Sequence, residues 1–238
     1  MSTAAEAGDG TRAPGRFVDS DAEAVRAFAA RVTAGMADPV ERAVALYHEV
    51  RDGFRYDPYD IDRSEAGFRA SWVLEHGRGF CVNKATLLAA VGRAAGIPTR
   101  LGYADVRNHL TSARLRASMG TDIFTWHGYT ELWLAGRWVK ATPAFNLSLC
   151  EKTGVLPLEF DGRTDSVFHP FDAAGARHME YIADHGTFDD VPYDRIMAAW
   201  AVHYGSGPSA AGDETPTAAG SDGADFEADA AAFHRQDH

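Results

Sequence analysis

Apolar positions recur at helical spacing in the first part of the chain and at strand spacing later. Ala24, Val25, Phe28 and Val32 form the first stripe. Ser20 before it can cap a helix and Gly35 after it can end one. Asp38 is a second cap, and Pro39 suits a first helical turn because its φ is already fixed. Val40, Val44, Leu46, Tyr47 and Val50 supply that helix with an apolar face, which Gly53 closes. Residues 54–68 are rich in Tyr, Asp, Pro and Gly and read as a loop. Ser71 to Leu74 reads as a short helix that stops at Gly77.

From Val82 to Ala95 nearly every residue is apolar or small, and Gly96 with Pro98 ends the run. A helix apolar on nearly every face belongs in the interior, so this segment is predicted to be a buried central helix. The character then changes. A strand-like run from Ile97 ends at Val106, and Asn108 to Thr121 is polar, with Arg114 and Arg116. Ile123 to Leu134 is rich in aromatic and β-branched residues, as strands are. Ala135-Gly136-Arg137 is a tight turn and Trp138 to Thr142 the returning strand, which makes a β-hairpin. Pro143 breaks it. Asn146 can cap a short helix through Glu151, His178 to Ile182 suggests another strand, and Pro192 to His203 a last helix. Helices first and strands later point to an α+β fold. One domain over residues 17–204 is expected, between disordered segments at 1–16 and 205–238.

Composition changes this picture little. The chain has 238 residues, 45% of them hydrophobic, which is enough for one core. Its net charge of −11 is uneven: after Tyr204, seven acids against Arg235 alone carry −6, leaving −5 for the body. No basic stripe suggests a nucleic acid. No apolar run approaches bilayer length, and the first residues lack the basic start and apolar core of a signal peptide. Two cysteines provide no disulfide framework, so a reducing cytoplasm is expected.

The candidate chemistry centres on Cys81. Gly77-Arg78-Gly79-Phe80 turns the chain just before it, and the central helix begins at it. A thiol there faces unpaired N–H groups and the positive end of the helix dipole, which favour the attacking thiolate. Ten histidines offer a base, and His127 has the best position, early in a strand that would pack on the buried helix, with Gly128 leaving room beside its ring. It could take the thiol proton and return one to a leaving amine. Cys150, among Leu147, Leu149 and Glu151, reads as a packed helix cysteine. Asp161, Asp165, His169 and Asp172 lack metal-ligand spacing; a loop held by carboxylate-to-backbone bonds is the better reading. His178, Asp184 and His185 are read the same way. Trp72, Trp126, Trp133 and Trp138 are candidates for an acyl tunnel but fit core positions better, and 108–121 reads equally as a lid or a solvated insertion.

Gly-Phe-Cys-Val-Asn-Lys-Ala-Thr-Leu-Leu from Gly79, Gly96-Ile97-Pro98-Thr99-Arg100, His127 on a strand and Gly136-Arg137-Trp138-Val139-Lys140 together resemble the transglutaminase-like superfamily, over roughly Ala43 to Asn146. The resemblance implies a papain-like α+β core, in which N-terminal helices and a cysteine-bearing central helix pack on an antiparallel sheet. It also implies Cys81 as nucleophile, His127 as general base, and acyl transfer through a thioester as peptidase, amidase or transglutaminase. No cofactor or metal is implied, and the partner would be a peptide or a small acyl or amine substrate. In that pattern an aspartate follows the histidine on the next strand. Here Thr142 stands there, without charge. Three readings follow: Thr142 orients His127 weakly, Asn146 does so as in a Cys-His-Asn arrangement, or the module has lost catalysis and binds a protein partner.

Overall fold

A computed structural model describes residues 7–109, 113–168, 175, 178–204 and 226–236. Eight helices and six strands are named among them. Helices α1 (Glu23–Val32), α2 (Pro39–Gly53) and α3 (Ala70–His76) surround α4 (Cys81–Ala94). The residues of α4 from Cys81 to Arg93 are all buried, as its lack of a polar face requires. Asp38 caps α2 by accepting the Val40 N–H. Gly77 ends α3 in the left-handed conformation, at φ 66°.

Four antiparallel strands form the main sheet in the order β5-β4-β3-β6. They are β3 (Thr99–Asn108), β4 (Ile123–Leu134), β5 (Arg137–Ala141) and β6 (Met179–Phe188). The β4–β5 hairpin turns at Ala135-Gly136, with Trp133 opposite Trp138. Helix α4 packs on β4: Thr130 donates its hydroxyl to the Ala85 carbonyl at 2.8 Å. The mixed class and the central helix on an antiparallel sheet agree with the sequence.

Four segments differ from the sequence reading. Residues 54–68 contain a two-residue strand, β1 (Arg55–Tyr56), parallel to β2 (Arg78–Gly79) just before Cys81. The polar stretch 108–121 holds α5 (Ala113–Met119), whose Leu115 is buried. In the segment before residue 17, Thr11 is buried in a short 3-10 turn and the Arg16 backbone N–H donates to Asp190 at 2.6 Å. The tail expected to lack structure carries α8 (Phe226–Gln236), docked beside α6 (Leu147–Thr153). Phe226 packs edge-on against Tyr56 and Tyr59, while Glu227 receives Asn146, Ser148 and Lys152. One aromatic and one well-paired acid anchor a segment whose composition is otherwise too polar to fold.

Candidate active site

The start of α4 is built by close backbone approach. Asn83 accepts the Phe80 N–H at 2.7 Å and donates to the Gly67 carbonyl at 3.2 Å. A side chain at Gly79 would meet Asn83 Oδ1 at 2.8 Å, so glycine there lets the turn close on the helix. On the sheet side, a Cβ at Gly128 would lie 3.0 Å from Val82 Cα and 3.4 Å from the Cys81 carbonyl oxygen. Gly128 thus serves helix–sheet contact rather than room for the His127 ring.

The N–H groups of Gly128, Val82 and Cys81 itself favour the thiolate, yet burial outweighs them and pushes the thiol up to about 11. The expected lowered thiol therefore does not hold in this conformation: Cys81 is 6% exposed and rests as a neutral thiol. It opens into a cavity of about 580 Å³. Tyr56, Tyr59, Phe80, Phe124, Trp200 and Tyr204 line it, and Leu115 and Met119 of α5 complete one wall, so the polar stretch does border the cleft. Trp72, Trp126, Trp133 and Trp138 are not among its lining residues.

His127 is 3% exposed, and burial pushes its imidazole down to about 4, so it rests neutral too. Phe168 packs edge-on against the His127 ring at 5.1 Å. Among the described residues no hydrogen bond joins its ring to Cys81, Thr142 or Asn146. Thr142 is buried with its Oγ1 unpartnered; its N–H donates to the Ser166 carbonyl and its own carbonyl accepts from Tyr47. The side chain of Asn146 is committed elsewhere. Its Oδ1 accepts the Tyr56 N–H at 3.0 Å, and its Nδ2 donates to Ser148 and Glu227, each at 2.7 Å. The structure thus brings Cys81 to the His127–Gly128 backbone and puts Thr142 just beyond β5, but gives Asn146 a structural task.

Sequence reasoning missed the group that shapes β4 beside the thiol. Thr125 and Trp126 together oppose Asp105, a β-bulge in which Trp126 has φ 57°. Asp105 accepts from the Thr125 hydroxyl at 2.6 Å, the Trp126 N–H at 2.9 Å and His185 Nε2 at 2.7 Å. Those bonds hold its carboxyl below the usual range despite burial. The His185 ring stacks on Trp126 at 4.4 Å. Bulges have no signature in a single chain, where Tyr103 and Asp105 can be read only as candidate borders of the cleft.

Lys84 is a second such case. It is fully buried and donates to the carbonyls of Arg51, Phe54 and Ala144 at 2.7–2.8 Å. Burial pulls its ammonium down to about 7, while three carbonyls receive its three protons. No cluster of three metal-ligating side chains occurs among the described residues. Asp161 accepts the Arg163 and Thr164 N–H groups at 2.7 Å each, a loop held by its own carboxylate. His169 and Asp172 lie outside the described residues.

Residues 26–143 match the model of the transglutaminase-like superfamily, a stretch that runs from α1 through Cys81 and His127 to just past Thr142. The core of this chain is a member of that superfamily. Among solved structures, the chain is similar to a proposed cysteine protease from Cytophaga hutchinsonii, with 16% identity and a TM-score of 0.44, over 75% of this chain and 53% of that one. It is also similar to a proposed protease from Parabacteroides distasonis, with 19% identity and a TM-score of 0.37, over 56% of this chain and 26% of the other. The chain therefore spans about half and about a quarter of those proteins. No curated protein sequence matches it. Among the described residues no helix is long and apolar enough to cross a membrane.

Proposed function

We propose that this transglutaminase-like domain is a cysteine-dependent acyl-transfer enzyme acting on an amide or thioester of a peptide or small acyl substrate. One observation carries the reading: the Cys81 thiol heads the buried helix, opens into the cavity and lies against the peptide unit that joins His127 to Gly128. Sγ attacks the carbonyl carbon, and a C–S bond forms as the C–N or C–S bond to the leaving group breaks. His127 takes the thiol proton and returns it to the departing amine or thiol. The thioester then passes to water or an amine. With both groups neutral at rest, proton transfer accompanies attack rather than preceding it. The Cys81 N–H at the helix start is the natural oxyanion donor. Two free cysteines suit a reducing, cytoplasmic setting.

The rival is a binding module without turnover. It is favoured by a His127 ring with no hydrogen-bonded partner among the described residues and by the neutral Thr142 in the place of an acid. Acyl transfer to Cys81 decides between them. Incubation with an activated acyl ester should add one acyl mass to the protein, located on the Cys81 peptide and absent in Cys81→Ser. A protein that gains no acyl group, or gains it equally in Cys81→Ser, overturns the enzyme reading.

A further inference from the structure

The cavity in front of Cys81 has walls of unusual chemistry for a site that handles polar amides. Six aromatic rings face it, together with Pro58, Ile61, Leu115 and Met119. Three of the four polar atoms on those rings are already engaged by the protein. The Tyr204 hydroxyl takes the Thr125 N–H at 2.7 Å and donates to the Ile123 carbonyl at 3.2 Å. Trp200 Nε1 donates to the Thr125 carbonyl at 3.3 Å. The Tyr59 hydroxyl is held by Asp229 of α8. What these three groups leave for a ligand is ring face and edge.

Charge is balanced in the same wall. Asp62 and Arg63 are adjacent and of opposite sign. Asp62 accepts the Ser64 N–H at 2.9 Å, and the Arg63 guanidinium lies 5.9 Å over the Trp200 ring. The wall carries no net charge with which to select an ionic group. A cavity of about 580 Å³ falls within the size range of small-molecule sites, roughly 300–1,000 Å³. It accommodates one ring-bearing acyl group and its immediate neighbours.

We propose that this cavity is the acyl-donor subsite and that it selects an uncharged aromatic acyl group, presented with its carbonyl at Cys81. This rests on Cys81 being the nucleophile. Ring edges and faces of Tyr56, Phe80, Phe124 and Trp200 favour an aryl group over an alkyl group of equal area through offset and edge-on packing. A short acyl group such as acetyl would leave the walls unfilled and lose the burial that draws the substrate in.

The test compares 4-nitrophenyl phenylacetate with 4-nitrophenyl acetate on the full chain, by nitrophenolate release and by the mass of the acylated Cys81 peptide. The phenylacetyl ester should acylate Cys81 with a second-order rate constant about tenfold or more above that of the acetyl ester, after correction for their reactivity toward free cysteine. Met119→Trp, which fills the wall from α5, should bring that ratio close to one. Leu115→Ala, which widens the same wall, should shift the preference toward a naphthylacetyl ester and keeps the test open if the tryptophan variant fails to fold. Equal rates for the two esters with acyl transfer still confined to Cys81 would overturn the aromatic selection and leave the nucleophile standing. Absence of any acyl transfer to Cys81 would overturn the nucleophile, and this subsite with it.

Discussion

The two cysteines occupy similar settings and part company in their neighbours. Cys81 opens α4 and Cys150 lies in the short helix α6; they are 6% and 2% exposed, and burial pushes both thiols up to about 11. A depressed thiol pKa therefore does not distinguish nucleophile from packing residue here. Cys81 has the cavity on one side and the His127–Gly128 peptide on the other. Cys150 lies in the helix that α8 covers and does not line that cavity. The cavity and the neighbouring peptide are the difference, and each can be perturbed separately.

The largest effect is expected where the two regions are tied together. Lys84 of α4 donates to the carbonyls of Arg51 and Phe54, at the end of α2, and of Ala144, three residues before α6. Lys84→Met leaves three buried carbonyls without a partner and should destabilise the fold by about 3 kcal/mol or more, read from urea unfolding. The contrast between the cysteines should then shrink, because both become accessible through unfolding. A loss under about 1 kcal/mol would mean that the three bonds do not hold the regions together.

Asp105→Ala perturbs only the Cys81 side. It removes three bonds from the bulge at Thr125–Trp126 and should lower kcat/KM about tenfold to a hundredfold, with Cys150 alkylation unchanged. Asp105→Asn keeps acceptor capacity and should recover part of the loss. If Asp105→Ala leaves kcat/KM unaltered, the bulge does not position the site.

Thr142→Asp acts on the base. A carboxylate beside the hairpin end should raise His127 from about 4 toward its ordinary range by stabilising the imidazolium. His127 acts as a base only when neutral, so the acid limb of the kcat/KM profile should move to higher pH by about one unit. A profile that does not shift would show that residue 142 does not face the histidine.

Much of this was legible in the chain because it depends on local pattern. The apolar run after Cys81 dictated the buried helix, and Ala135-Gly136 with the Trp133/Trp138 pair dictated the hairpin. Cys81 could be read from its position at the helix start. The third position was misjudged for Asn146, since its partners Tyr56, Ser148 and Glu227 come from three separate parts of the chain. Spacing along the chain carries no information about such long-range bonds. The aromatic cavity was illegible for the same reason: Tyr56, Phe80, Phe124 and Trp200 come from four distant segments. The thiol's direction of shift was misjudged because a helix start is visible in sequence and the depth at which it is buried is not.

The central claim is that Cys81, not Cys150, is the accessible and assisted thiol. Its direct test is the iodoacetamide alkylation rate of each cysteine, followed by peptide mass spectrometry between pH 6 and pH 10. Cys81 should react about tenfold or more faster than Cys150 at pH 7.5, and its rate should keep rising with pH without a plateau, as a thiol near 11 requires. Equal, slow alkylation of both cysteines would contradict the account.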